Sequence, residues 1–135
     1  MRVLFVCVEN SCRSVMAETV FNSHAKRWRA ESAGLRKGSS YDPRAIDVLR
    51  SRGYDVKIRE PREVGELDLG QYDVVVTVCD EGSCVTLPHH RIEAWKVEDP
   101  KGKDVAEYLR VLKVIEGKVL DLIRRLEDEG AGRKA

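Results

Sequence analysis

"VCVENSCRSVMAE", residues 6–18, decides how this chain is read. Ahead of it, "RVLFVCV" (2–8) is continuously apolar, the pattern of a strand buried on both faces of a parallel sheet. Behind it, from Arg13 to about Arg27, Val15, Met16, Val20, Phe21 and His24 recur at helical intervals. The loop between them holds Cys7 and Arg13 with five residues between them, and Ser14 next. Successive backbone N–H groups in a tight loop feeding a helix N-terminus form a nest for a tetrahedral oxyanion. Arg13 adds a bidentate guanidinium fork. The same positive surroundings favour a thiolate at Cys7, a ready nucleophile, and Ser14 is placed to donate to its sulfur. Val8, Glu9, Asn10, Ser11, Cys12, Arg13 and Ser14 are therefore the expected oxyanion-binding loop, with Cys7 aimed at the anion's centre.

Outward from this stretch the chain alternates strand and helix. "WRAESAG" (28–34) reads as a second strand closed by Gly34. Asp42 can cap a helix with Pro43 in its first position, running through "RAIDVLRSRG" to Gly53. Residues 55–70 are polar and loop-like, with a short helical piece near "PREVGEL". "YDVVVTVC" (72–79) is apolar and β-branched, the strongest strand in the sequence. "DEGSCVTLPHH" is a loop or broken helix, "RIEAW" (91–95) a fourth strand, and "EDPKGKD" a loop. Apolar positions from Val105 to Leu126 mark one long amphipathic helix. The expectation is an α/β fold: a single three-layer domain over 1–128, a four-stranded parallel sheet with helices on both faces, and a frayed tail at 129–135. In such sheets the site lies at the carboxyl ends of the strands, where both cysteine pairs, Cys7/Cys12 and Cys79/Cys84, would fall.

Composition narrows the partners. With 135 residues the chain suits one domain burying roughly two-thirds of its unfolded surface. Twenty-four basic and 23 acidic residues leave a net charge of +1, which gives no bulk attraction to nucleic acid or to an anionic membrane. No apolar run approaches a membrane span and no signal-peptide pattern opens the chain, so a cytoplasmic location is expected. There, clustered thiols are more often catalytic or redox-active than structural disulfides, and the C-x4-C spacings argue against zinc. His89-His90 on a polar loop lack partners at ligand spacing. No metal or cofactor is expected.

"FVCVENSCRSVMAE" resembles the opening motif of the low-molecular-weight protein tyrosine phosphatase family, which includes the thioredoxin-coupled arsenate reductases. "AESAG", "YDVVVTVC" and "WKVEDPKGKD" follow in the order the family would have them, and the implied fold is the four-stranded parallel sheet just described. The resemblance assigns Asp99, in Asp99-Pro100, as general acid. It also places Glu9 where the family usually has Gly, with a side chain expected to point outward, and Val15 where phosphatases usually have Pro. After Asp99-Pro100 phosphatases tend to carry tyrosines; Lys101-Gly102-Lys103 looks like the reductases' pattern. Asn10, joined by Ser32, is expected to hold the loop's shape, and Cys12 to be structural. Some related reductases hold a monovalent cation near Glu18, but "REPRE" puts Arg62 where an acidic ligand would be needed, so none is expected here.

The second thiol pair separates the two activities. A phosphatase needs one nucleophilic cysteine, whereas reducing As(V) to As(III) consumes two electrons. In the mechanism the resemblance implies, Cys7 attacks arsenate, Cys79 attacks the sulfur of Cys7, and Cys84 passes the disulfide outward to thioredoxin or a similar small dithiol reductant. "DEGS" between Cys79 and Cys84 is polar, with Gly82 to let the loop rearrange. The expectation is an arsenate reductase with Cys7, Arg13, Cys79, Cys84 and Asp99 as catalytic residues, acting on arsenate, with phosphate as a fellow oxyanion ligand. The alternatives are a phosphatase working through a phosphocysteine on phosphotyrosine or small aryl phosphates, and a redox-sensing module that binds an oxyanion without turnover.

Overall fold

The apolar run at the N-terminus forms the first strand, β1 (Arg2–Cys7), buried from Val3 onward. In the computed structural model, which describes residues 1–80 and 86–134 and side chains through 129, it sits at the centre of the sheet. β2 (Arg29–Gly34), β3 (Val74–Cys79) and β4 (Ile92–Lys96) complete four parallel strands in the order β2-β1-β3-β4. The two central strands carry the apolar residues, and β4, at an edge, is mostly half-exposed. Three helices connect or follow them: α1 (Arg13–His24), α2 (Pro43–Ser51) and α3 (Val105–Lys134).

Side-chain alternation along the central strands divides the interior. Val3 and Phe5 of β1, with Val74, Val76 and Val78 of β3, face a large core that also holds Met16, Phe21, Leu49, Trp28, Trp95, Leu112 and Ile115. Leu4, Val6 and Val75 face a smaller core with Ala33 and Tyr72, covered by residues from two 3₁₀ turns (Val64–Glu66, Leu69–Gln71). Helical cover is thus unequal, with long helices on one face and short turns on the other.

Two boundaries differ from the sequence pattern. α1 stops at His24 rather than near Arg27, because Ala25 is extended and both Ala25 and Trp28 are buried where the chain turns into β2. α3 runs past Leu126 to Lys134, through residues expected to fray; the Arg91 guanidinium donates twice to Glu129 and holds that turn against the start of β4. α2 begins as expected, with the Asp42 carboxylate accepting from the Arg44 N–H and Pro43 in the first turn.

From β1 the chain moves to one side for β2, and β3 and β4 lie on the other. The carboxyl ends of β1 and β3 therefore flank the sheet's switch point, where α/β folds open a crevice. Cys7 is the last residue of β1 and Cys79 the last of β3.

Candidate active site

The loop from Val8 to Cys12 is held by its carbonyl side. The carbonyls of Cys7, Val8, Glu9 and Ser11 accept from the N–H groups of Leu35, Arg36, Gly38 and Asp42. Because a trans peptide points its N–H opposite its C=O, these bonds turn the loop's N–H groups toward the cavity beside Cys7. Asn10 takes a left-handed conformation (φ 57°) that its short polar side chain tolerates. Cys12 is the N-cap of α1 and makes no side-chain cap bond, so the first N–H groups of α1 are open to an anion.

Beneath the loop lies a buried polar network. The Cys7 sulfur is 2.9 Å from Ser14 Oγ. Asn10 Nδ2 donates to Ser14 Oγ at 3.0 Å and to Ser32 Oγ at 2.8 Å. Ser32 Oγ donates to Glu18 Oε1 at 2.6 Å, and the Arg59 guanidinium grips both Glu18 oxygens at 2.6 and 3.1 Å. Asn10, Ser14 and Ser32 have no exposed surface. Arg62 gives its N–H to Asn10 Oδ1 and its guanidinium to Glu31 and the Ser32 carbonyl, which also accepts from Arg59.

Above Cys7, a cavity of about 230 Å³ is bordered by the loop, Arg13, Arg36, Asp80, Asp99 and Lys101. Arg13 is 2% exposed, and its Nη1 donates to the Val97 carbonyl at 2.8 Å. Asp80 Oδ1 lies 3.3 Å and Asp99 Oδ2 3.8 Å from the guanidinium. Asp80 also accepts from the Asp99 N–H, tying the end of β3 to the loop after β4. The Glu9 carboxylate pairs with Lys101 Nζ at 3.1 Å and Arg36 Nε at 3.4 Å, and all three residues border this cavity.

The family model for low molecular weight phosphotyrosine protein phosphatases matches residues 2–132. The chain belongs to that family. It is similar to a solved arsenate reductase from Archaeoglobus fulgidus, 48% identical with a TM-score of 0.85, over 90% of this chain and 98% of that one. It is also similar to arsenate reductase 2 of Staphylococcus haemolyticus, 33% identical over 81% of this chain and 86% of that protein. The glutaredoxin arsenate reductase of a Synechocystis strain is 32% identical over 93% and 95% of the two chains.

Within this family member the thiols differ in state. Cys7 and Cys12 are free and buried, and Cys79 is disulfide-bonded. Burial, and next the nearby Asp42 carboxylate, push the Cys12 thiol well up, which suits a packing role. Cys7 and Cys79 border one narrow apolar cleft with Val8, Leu35 and Thr77. Its volume is about 10 Å³, room for one water at most. Cys84 lies outside the described residues.

Of the residues singled out by sequence, Cys7, Val8, Glu9, Ser11, Cys12, Arg13 and Asp99 border one cavity, while Asn10 and Ser14 are fully buried and do not. The sequence pattern does not mark Asp80 or Arg59, and it marks Lys101 only within the Lys101-Gly102-Lys103 run. Asp80 follows Cys79 directly and so had to lie at the same strand end, a signal available in the sequence. Arg59 carried no such signal, because only tertiary packing separates its role from that of Arg62. Among the described residues no helix is long and apolar enough to cross a membrane.

Proposed function

We propose that this chain reduces arsenate to arsenite, with Cys7 as nucleophile, Arg13 as oxyanion clamp, Asp99 as proton donor, and Cys79 and Cys84 as an intramolecular disulfide relay. One observation carries the reading: a free Cys7 thiol and a disulfide-bonded Cys79 border the same apolar cleft. Phosphoester hydrolysis has no use for a second sulfur there, whereas a two-electron reduction requires one. Similarity to proteins named arsenate reductases, at 48% and 33% identity, supports the same choice.

The loop N–H groups and the guanidinium hold the arsenate oxygens, and the Cys7 thiolate displaces one of them from arsenic. The departing oxygen takes protons, one supplied by Asp99, and leaves as water, with a sulfur–arsenic bond formed. The Cys79 thiolate then attacks the Cys7 sulfur. The sulfur–arsenic bond breaks and its electron pair stays on arsenic, which leaves as arsenite. Attack by Cys84 on the Cys79 sulfur frees Cys7 as a thiolate and leaves a Cys79–Cys84 disulfide. A small dithiol protein, thioredoxin or a glutaredoxin, restores the reduced enzyme.

A single turnover tests this. Fully reduced protein with arsenate and no external reductant is expected to release about one arsenite per chain and to end with a Cys79–Cys84 bond, each step being a stoichiometric thiol exchange. Cys79→Ser is expected to abolish release. Absence of arsenite with four thiols still free overturns the proposal and directs attention to phosphoester substrates. Aryl phosphate hydrolysis alone settles nothing, since the oxyanion loop serves both reactions.

A further inference from the structure

Resting on the disulfide relay proposed above, we infer that the Thr77 hydroxyl is a catalytic group of its central step: it donates a hydrogen bond to the Cys79 thiolate as that sulfur attacks Cys7. β3 reads Val-Val-Val-Thr-Val-Cys, so Thr77 is the one hydroxyl in a strand otherwise built of valine up to Cys79. Thr77 is 3% exposed, and its Oγ1 is buried with no hydrogen-bond partner among the described residues. Buried hydroxyls nearly always find a partner, and one left unpaired destabilises the fold. Valine has the same shape without that cost, so the hydroxyl does nothing for the strand as it stands. Its position points to chemistry. Side chains two apart along a strand leave on the same face, which puts Thr77 beside Cys79. In the register of β1 and β3, Thr77 lies opposite Val6, the residue before Cys7. Thr77, Cys7 and Cys79 border one cleft, whose other walls are Val6, Val8, Leu35 and Val78. Among the described residues, the hydroxyl is therefore the only side-chain donor besides the thiols in the space where the two sulfurs must meet.

A disulfide sulfur is uncharged and a weak acceptor, so the oxidised Cys79 gives the hydroxyl little to bind. Reduction changes this. The Cys79 sulfur must carry negative charge to attack, and an apolar cleft opposes that charge. The Trp95 carbonyl oxygen, 3.6 Å from Cys79 Sγ, opposes it too, because it can accept the proton of the thiol but only repels the thiolate. The Thr77 Oγ1–H offsets both, since a hydrogen bond to a charged acceptor is about twice as strong as one between neutral groups. No proton is transferred. The thiolate forms its bond to the Cys7 sulfur, the sulfur–arsenic electron pair stays on arsenic, and the hydroxyl keeps its hydrogen as the charge it held is consumed.

The test is the pH profile of Cys79 alkylation by iodoacetamide in the fully reduced, full-length protein. Peptide mass spectrometry reads it, with fragment ions separating Cys79 from Cys84. The other titratable and charged groups near Cys79 are Cys7 of β1, Asp80 beside it, Lys96 paired with it on β4, and Arg13 and Asp99 through Asp80; all are the same in the variants. Thr77→Val is expected to move the Cys79 midpoint up by about one unit, a roughly tenfold slower alkylation on the acid side of both midpoints. Thr77→Ser, which keeps the hydroxyl, is expected to stay near the wild-type profile. Cys7, which has the Ser14 hydroxyl, is expected to keep its midpoint in the same spectra. A valine that only repacks the cleft changes the rate by one factor at every pH and leaves the Cys79 midpoint in place. That result overturns the inference, as does an equal shift at Cys7. Melting temperature is the second readout: Thr77→Val should melt no lower than wild type, because the unpaired hydroxyl is gone. A fall of several degrees, or failure to fold, means that the hydroxyl already serves the folded strand and overturns the inference as well. No readout uses arsenate, so a failed reductase reading and a failed inference appear in different experiments.

Discussion

Glu9 puts a carboxylate in the loop proposed to hold the oxyanion, and its neighbours explain how the loop tolerates it. The Lys101 ammonium, first by its hydrogen bond and then by its charge, holds the Glu9 carboxyl below the usual range, with Arg36 adding to the effect. Because Lys101 is 62% exposed, the pair is weak and screened by salt. Lys101→Ala is expected to weaken phosphate binding to the reduced protein by about two- to fivefold at low ionic strength. Lysine's own attraction for phosphate would give the same sign, so the deciding measurement is calorimetry in a Glu9→Gln background. If Lys101 acts by occupying Glu9, its removal there costs little; an undiminished loss sinks the idea. Sequence reading finds Glu9 as a departure from the family pattern but cannot find its partner, 92 positions away along the chain. Cys7, Arg13 and Ser14 are legible for the opposite reason: one strand–loop–helix segment contains them all.

At the scale of elements, the loop's shape depends on β2 as much as on β1. Gly34 pairs with Cys7 in register, and a Cβ there would lie 2.6–2.7 Å from Arg36 O, Asn10 N and the Glu9 carbonyl carbon. All three are backbone atoms of the turns that shape the anion site, so none can yield alone. Gly34→Ala is expected to lower the melting temperature by on the order of 5–10 °C. It is also expected to abolish measurable phosphate binding. Gly65→Ala, where a Cβ meets nothing within 4 Å, is the control and should leave both unchanged. A Gly34→Ala protein that binds phosphate normally would show that the loop is not braced by this contact. The strands and α2 are legible because apolar runs and an Asp-Pro cap are local signals. The far end of α3 is not, since a long-range ion pair to Arg91 sustains helix where composition suggests fraying. The segment around Cys84 lies outside the described residues.

For the molecule as a whole, tyrosines act as fasteners between layers. Tyr108 of α3 donates to Asp42, the cap of α2, and Tyr54 after α2 donates to Glu116 of α3. Tyr72, under the second face, donates to Glu31 of β2. All four tyrosines of the chain hold their protons more tightly than a free phenol. For Tyr54 burial, then its bond to Glu116, pushes ionisation up to about 12; burial leads for Tyr41, Tyr72 and Tyr108 as well, with a carboxylate next for the last two. The sign of the consequence is fixed by linkage. Unfolded tyrosines release protons near pH ~10, so above that pH the unfolded state binds fewer protons than the folded one and stability falls as pH rises. The contribution is complete below pH ~10 and, for Tyr54, gone once pH passes about 12. Native protein at about pH 10.5 is therefore expected to show much less phenolate absorbance at 295 nm than the same chain in guanidinium, with a melting temperature that drops from about pH 10 upward. Tyr108→Phe should flatten part of that drop, because the group that loses its proton on unfolding is no longer there. Equal absorbance in the two states, with the circular dichroism of the native sample intact, would mean these phenols are not the fasteners that join α3 to the rest.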